Sequence, residues 1–424
     1  MIGNIAFGLF GLAVLISIAF LFSQNKHSID WRQIAAGVLL QIVFAVVVIL
    51  VPGGREFFNA ISMVFVKTID FALVGGNFIF GDMTDSTRFG FIFAFQVLPT
   101  IIFFASLMSV LYHIGFMQKI VAAMAWVMMK VLRVSGSESL SVAANVFIGQ
   151  TEAPLVVRPY IAKMTESELF TMMVGGMATI AGAVLAAYIA MLGGADDAQR
   201  LFYARHLLAA SVMAAPATIV IAKLLKPEIE VSQTAGTVHL EIEKTATNVI
   251  EAAANGAADG VKLSLNVAGM LLAFVALITM INFPLGWLGA TTGLEATLGE
   301  PLSMSVILGF LLAPLAWIIG VPWGEAQIVG GLIGEKIVLN EFVAYLHLGQ
   351  IKDTLSQHSV LISTYALCGF ANFSSIAIQL GGIGGLAPNR RSDIARLGMK
   401  AVLGGTLATM MTATIAGVLT KIAG

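Results

Sequence analysis

Apolar residues run along this chain in long uninterrupted stretches, and charged residues gather between the stretches rather than alternating within them. Charge-free runs cover residues 2–23, 33–54, 89–118, 169–195, 206–222, 263–294, 301–324, 354–389 and 401–420. A helix needs about 20 apolar residues to cross the hydrocarbon core of a bilayer, and several runs reach that length. An outer-membrane barrel would show alternating segments of about ten residues instead. The pattern predicts an all-α polytopic membrane protein with about eight transmembrane helices. Composition agrees: 58% of residues are hydrophobic and 11% charged, against about 25% charged in soluble domains, and mean hydropathy is +0.92. The formal net charge of −1 names no partner, and no basic tract suggests nucleic acid. Cys368 is the single cysteine, so no intramolecular disulfide can form. No Lys or Arg precedes the run 2–23, which therefore reads as a retained first helix entering from outside.

Cationic residues orient the spans. Lys26 and Arg32 mark a cytoplasmic loop, and the second helix exits around Pro52-Gly53-Gly54. Residues 55–85 mix charge with apolar groups (Arg55, Glu56, Lys67, Asp70, Asp82, Asp85) and read as interfacial. The third helix, about 89–112, returns toward Lys119, Lys130 and Arg133. Arg390, Arg391, Arg396 and Lys400 crowd a second cytoplasmic loop, which sends the last helix, 401–422, outward. The one polar stretch, 226–248, holds Pro227, Glu228, Glu230, Glu241, Glu243 and Lys244 and reads as cytoplasmic.

The halves on either side share an order of parts. The first has 89–112, 116–132, 134–165, 167–193 and 206–225; the second has 263–289, 303–320, 322–350, 357–386 and 401–422. The loop between the first half's final spans carries Asp196 and Asp197 beside Arg200 and Arg205, while its counterpart is strongly basic. Opposite polarity is what an inverted repeat gives, with binding at the midplane between discontinuous segments. The competing reading is that apolar segments always look alike.

Residues 134–165 begin with Ser135-Gly136-Ser137-Glu138-Ser139 and end near Lys163-Met164-Thr165-Glu166. Two polar ends with too little apolar chain for two crossings predict a re-entrant hairpin, its tip near Gly149-Gln150-Thr151. Such backbone is tolerated at depth only where it is buried in protein or lines a cavity. A half-helix ending near Ile148 would turn carbonyls into that cavity, which suits a cation. One beginning at Thr151 would turn N–H groups there, which suits electronegative ligand atoms. Glu152 sits in this tip, and a carboxylate at the bilayer centre costs roughly +2.5 to +3.5 kcal/mol on insertion scales. The alternative pairs Glu152 with Arg158 in a buried network. In the second segment Glu341 is an acceptor suited to vicinal hydroxyls, the alternative being a Lys336 pair with Glu341 or Glu335; Glu325 and Glu335 read as hairpin-end or interfacial charges. The span 357–386 carries Cys368-Gly369-Phe370-Ala371-Asn372-Phe373-Ser374-Ser375, which predicts local unwinding and an aromatic face beside amide and hydroxyl groups. Its counterpart is Gly175-Gly176-Met177-Ala178-Thr179-Ile180-Ala181-Gly182, where small residues also fit close helix packing.

At these residues the chain resembles the concentrative nucleoside transporter family. Gly149-Gln150-Thr151-Glu152-Ala153-Pro154-Leu155 resembles its first-hairpin motif. Gly334-x-Lys336-x-x-x-Asn340-Glu341-Phe342-Val343-Ala344-Tyr345 resembles the second-hairpin signature, and Phe370-Ala371-Asn372-Phe373-Ser374-Ser375 the seventh-helix site. The likeness covers nearly the whole chain, and its length suits bacterial members with eight spans. The resemblance implies a homotrimer in the lipid bilayer of the bacterial inner membrane, both termini periplasmic, with scaffold and transport domains and an elevator-like movement. It implies that Gln150, Thr151 and Glu152 contact the nucleobase, Glu152 through water. Val184 and Phe370 would pack around the nucleoside, and Glu341, Asn372 and Ser375 would bind ribose hydroxyls. It implies a co-transported sodium ion at Asn145, Ile148, Thr179 and Ile180, held mainly by backbone carbonyls plus the Thr179 hydroxyl, where some relatives have serine. Proton-coupled relatives depart from the Gln-Thr-Glu-Ala-Pro pattern, so its presence favours sodium. The chemistry is consistent: a carboxylate accepts from ribose hydroxyls, and Gln150 offers a uracil-like edge both donor and acceptor.

The expected organisation is therefore 1–88 as scaffold helices and interfacial segment, 89–225 as the first repeat with its hairpin at 134–165, 226–262 as cytoplasmic linker, and 263–424 as the second repeat with its hairpin at 322–350. The expected function is sodium-driven import of uridine-like nucleosides. Proton coupling, or an elevator-type carrier of another small polar solute, is the alternative; acidic substrates would call for Arg or Lys at the tips. An intramembrane enzyme would need a His pair, a Ser-Lys dyad or an Asp pair at depth, whereas His113, His206, His347 and His358 read as interfacial at span ends. Glutamates could ring a cation channel, but broken, repeated segments suit alternating access better.

Overall fold

A computed structural model describes residues 2–236 and 246–423, and every regular element in it is helical. Glu241, Glu243 and Lys244 of the polar stretch lie outside the described residues. Helices α1 (Ile2–Leu21) and α2 (Trp31–Ile49) lead into the long α3 (Pro52–Phe80) and two single turns, α4 (Ser86–Phe89) and α5 (Phe93–Gln96). The first half continues with α6 (Leu98–His113) and α7 (Phe116–Leu132). A hairpin of α8 (Gly136–Asn145) and α9 (Arg158–Ile161) follows, then a broken span of α10 (Glu166–Ala178) and α11 (Gly182–Gly193), then α12 (Asp197–Leu225). The second half repeats that order. It has α13 (Val249–Thr292), the short α14 (Leu294–Leu298), α15 (Met304–Ile318), a hairpin of α16 (Trp323–Val338) and α17 (Glu341–Ile351), a broken span of α18 (Gln357–Leu367) and α19 (Phe373–Leu386), and α20 (Arg391–Ala423).

Several boundaries differ from the sequence reading, each for a local reason. The stretch 55–85 is one helix to Phe80, started by Pro52 in its first turn and long and apolar enough to cross a bilayer. Pro99 restarts the third span at Leu98 after the single turn α5. Helix α13 begins at Val249, inside the stretch read as linker, because the Asn248 side chain accepts from Glu251 N (2.9 Å) and caps it. Asp196 caps α12 in the same way, accepting from Ala198 N at 2.8 Å. Charged first turns hid these starts from a hydropathy pattern.

Helices α10–α11, α12 and α20 form the centre: 94%, 89% and 89% of their apolar windows are buried, against 17% for α13. Helices α1 and α2 pack on α12 and α20, with Gln41 Nε2 donating to Thr412 Oγ1 (3.0 Å), whereas α6 packs chiefly on α13.

Each hairpin closes at its base. Ser135 and Glu138 form a capping box at the start of α8, and Thr165 and Glu168 form one at the start of α10. Ser137 Oγ donates to Glu168 Oε1 (3.4 Å), so the two ends of the first hairpin meet. Thr234 of the polar stretch and Lys223 near the end of α12 seal that base: Gly136 N donates to Thr234 O (3.0 Å), and Lys223 pairs with Glu138 in a buried contact and also reaches Ser167 Oγ (2.8 Å). At the second hairpin, Gly320 (φ +112) and Pro322 turn the chain by 116° from α15 into α16. Glu325 then accepts from Ser356 N (3.0 Å) and Oγ (2.8 Å), joining the hairpin's start to the residue beyond its end.

Breaking a buried ion pair by removing one partner costs roughly 3–5 kcal/mol, because the other charge stays buried. Lys223→Met is expected to lower the thermal unfolding temperature of the detergent-solubilised protein sharply, and Lys223→Met with Glu138→Gln to recover much of the loss. Equal melting of the single variant and the native protein would show that the pair does not hold the hairpin base.

Candidate functional site

The two hairpin tips and the two broken spans meet in one place, and their loose backbone groups answer one another. Helix α8 stops at Asn145, and Phe147 O accepts from Gly182 N (3.0 Å), the first residue of α11. Thr179 O, at the end of α10, accepts from Phe370 N (3.3 Å) in the break between α18 and α19. Asn340 caps α17 by accepting from Val343 N (3.0 Å), and Asn372 caps α19 by accepting from Ser375 N (2.9 Å). Glycines permit the approach: a Cβ on Gly382 would lie 3.2 Å from Thr151 Cγ2, and one on Gly176 would lie 2.8 Å from Gln150 Cβ.

A chain of side-chain hydrogen bonds crosses this meeting point. Glu341, buried at the start of α17, accepts from Tyr188 Oη (2.9 Å) at one oxygen and from Asn372 Nδ2 (2.9 Å) at the other. Its place at a helix N-terminus also favours negative charge. Asn372 Oδ1 accepts from Ser374 Oγ (2.7 Å) as well as from Ser375 N. Ser375 Oγ accepts from Gln150 Nε2 (3.0 Å), and Gln150 Oε1 accepts from Gln379 Nε2 (3.1 Å). Tyr188 packs in a tilted pair with Tyr345 (4.3 Å between centroids) and edge-on with Phe342 (4.8 Å). Val184 lies one helical turn before Tyr188 on the same face of α11. Such a chain of carboxylate, amides and hydroxyls can accept from and donate to a polyhydroxylated, partly planar ligand.

Beside it, the four residues expected at a cation lie on the two helix ends that face each other. Asn145 Oδ1 is buried without a hydrogen-bond partner. Thr179 Oγ1 donates to Gly175 O (2.8 Å), which leaves its lone pairs free. Backbone N–H groups do not engage the Ile148 and Ile180 carbonyls among the described residues. Neutral oxygen donors at the ends of half-helices suit a monovalent cation, so the residues present fit sodium.

Not every expectation takes the form the sequence suggested. The arm after the first tip is not a half-helix from Thr151: Pro154 and Pro159 break it into a 3-10 turn at Ala153–Val157 and the single turn α9. Glu152 is exposed, with Oε1 accepting from Thr151 Oγ1 (2.8 Å), and Arg158 is exposed too, so neither belongs to a buried network. Thr151 and Phe370 are half-buried at the rim. Lys336 makes neither of the carboxylate pairs weighed above; its Nζ donates to Ala366 O (2.8 Å) and Thr409 Oγ1 (3.0 Å), while Glu335 pairs with His347 (2.9 Å). His206 is buried rather than interfacial and shares a hydrogen bond with Tyr365 Oη (3.0 Å). The sequence reading missed Tyr188 and Gln379. A signal existed for both: each is a hydrogen-bonding side chain flanked by apolar residues, four residues from Val184 and Ser375 respectively.

Known proteins resemble this chain in sequence and fold. Family models described as Na+ dependent nucleoside transporter N-terminus, Nucleoside recognition, and Na+ dependent nucleoside transporter C-terminus match residues 10–83, 94–195 and 206–417. The uncharacterized transporter YutK of Bacillus subtilis is 47% identical over 98% of this chain and 99% of its own length. The nucleoside permease NupC of Helicobacter pylori is 42% identical over 98% of each. The structure of CNTnw in an inward-facing substrate-bound state matches with a TM-score of 0.89 at 45% identity, covering 98% of this chain and 99% of that one.

Asn372 both caps α19 and donates to Glu341. A hydrogen bond to a charged group contributes about 1.5–3 kcal/mol, and an N-cap typically about 1 kcal/mol. Asn372→Ala is expected to lower the melting temperature of the ligand-free protein more than Tyr188→Phe, which removes one bond and no cap. The reverse order would contradict the geometry.

Proposed function

The chain belongs to the concentrative, sodium-dependent nucleoside transporter family, and from that premise we propose that it is a symporter importing uridine-like nucleosides down a sodium gradient. It is a multi-pass membrane transporter of nucleosides. The observation that carries the finer reading is the bonded chain from Glu341 through Asn372 and Ser375 to Gln150, because it joins both hairpin tips at one polar patch. In this reading Glu341, Asn372 and Ser375 hold ribose hydroxyls. Gln150 and Thr151 read the base, Glu152 joins them through water, and Val184 and Phe370 pack on the nucleoside. Each Glu341 oxygen is engaged once and retains a lone pair for a hydroxyl. Sodium sits at Asn145, Ile148, Thr179 and Ile180, supported by the orphaned Asn145 oxygen and the free carbonyls. The homotrimer, the elevator-like movement, the inner-membrane location with periplasmic termini, and the division at residues 88, 225 and 262 belong to the same proposal and rest on the family likeness.

The test is uptake of radiolabelled uridine into proteoliposomes under an inward sodium gradient or an inward proton gradient. Sodium-only uptake supports the reading, proton-driven uptake removes the sodium site but keeps the substrate, and transport of a different solute alone overturns the substrate.

Two variants sharpen it. Glu341→Gln should reach the membrane at native levels and lose roughly tenfold to a hundredfold in uptake efficiency, the worth of one bond to a charged group; retained uptake would remove the ribose role. Thr179→Val should raise the sodium concentration needed for half-maximal uptake while leaving the nucleoside KM at saturating sodium near native. An unchanged sodium dependence would take Thr179 out of the ion site.

A further inference from the structure

Gln379 is fully buried on α19, one helical turn beyond Ser375 and on the same face. Its Nε2 donates twice, to the Met173 carbonyl (2.9 Å) and to Gln150 Oε1 (3.1 Å). The orientation of a glutamine amide is decided by its bonding network, not by its shape, and this network has a fixed end. The Met173 carbonyl can only accept, so the group of Gln379 facing it is the NH2. One hydrogen of that NH2 goes to Met173 and the other points at Gln150. Gln150 must therefore turn its oxygen toward Gln379, which turns its own NH2 toward Ser375, to whose Oγ it donates at 3.0 Å.

The reverse arrangement fails at the Met173 end. It would set Gln379 Oε1 against the Met173 carbonyl, two acceptors at hydrogen-bond distance. Gln379 Oε1 has no partner of its own among the described residues, so no bond on that side competes for the orientation. Gly176 leaves the room: a Cβ there would come within 2.9 Å of Gln379 Nε2.

Taken alone, Gln150 can offer donor and acceptor equally. Bracketed by Gln379, it has its oxygen turned to Gln379, one N–H given to Ser375 and one N–H left to give. We propose that Gln379 is a positioning residue that fixes the polarity of Gln150, so that the site selects nucleosides whose base carries an acceptor, a carbonyl oxygen, at the edge facing Gln150. This rests on the base-reading role given to Gln150 above.

The experiment is competition for uridine uptake in proteoliposomes holding the full-length protein. Sulfur accepts hydrogen bonds more weakly than oxygen, so one of 2-thiouridine and 4-thiouridine should compete roughly threefold to tenfold less well than uridine. In Gln379→Met, which keeps the bulk and removes both donors, that penalty should vanish. Discrimination against 2′-deoxyuridine and 3′-deoxyuridine should stay as in the native protein. The loss of coupling between one side chain and one base atom is what a positioning role produces. Three results overturn the proposal: a native protein indifferent to both thio analogues, a variant that keeps the native penalty, or a variant whose base and ribose discrimination fall together as general loosening would produce. The first needs no variant, and Gln379→Glu serves if Gln379→Met does not reach the membrane. Failure of the native protein to take up any nucleoside would remove the transport reading itself, and this shows before any analogue is compared.

Discussion

A backbone N–H or C=O that loses its helical partner at membrane depth has no water to turn to, and this structure is arranged around that constraint. The interruptions at the first hairpin tip, between α10 and α11, and between α18 and α19 are not independent. The first hands a carbonyl to the second through Phe147 and Gly182, and the second hands one to the third through Thr179 and Phe370. Asn340 and Asn372 cap the remaining N-termini with their own side chains. Pulling one break away from the others would strand polar groups on both sides. The polar patch at the centre is the set of side chains and carbonyls left over once the breaks have satisfied one another.

Charge is distributed accordingly. At the base of the first hairpin the buried ions are paired, Lys223 with Glu138, and hydroxyls from Ser137, Ser167 and Thr234 fill the remaining bonds. At the tips the partners are amides and hydroxyls, with Glu341 the buried carboxylate. Paired ions hold a fixed geometry but exchange partners at high cost. Neutral donors and acceptors exchange readily, which suits a place where a ligand must arrive and leave.

Much of this was legible in the sequence because the constraint leaves marks. Polar residues at the two ends of 134–165 announce a hairpin, and Asn372 with two serines in mid-span announces unwinding. The burial of the spans was not legible. In a soluble protein the apolar face of a helix points to the core, but lipid is as apolar as a protein interior, so α12 and α13 look alike in sequence although one is central and the other peripheral. Helix starts inside charged segments were missed at Val249 and Asp197, because a cap is a matter of one side chain and not of hydropathy. Glu152 and Glu341 both read as glutamates of re-entrant segments, yet one is exposed at a tip broken by prolines and the other is buried at a helix start. The exposure of each follows from the backbone that carries it.

Lys336 shows why that difference matters. It is fully buried five residues before Glu341, and an ion pair between them would be the simplest way to satisfy both. Instead its ammonium is held by Ala366 O and Thr409 Oγ1, which ties α16 to α18 and α20. The cation still contributes positive potential to the tips but occupies none of the carboxylate's lone pairs. Tyr188 and Asn372 orient the carboxylate, each from a different oxygen, and leave room on both. A ligand hydroxyl can then add to Glu341 without first breaking a buried ion pair. Compensation of the charge and presentation of the acceptor are assigned to different residues, and that separation keeps binding reversible at a site where an isolated carboxylate would be too costly.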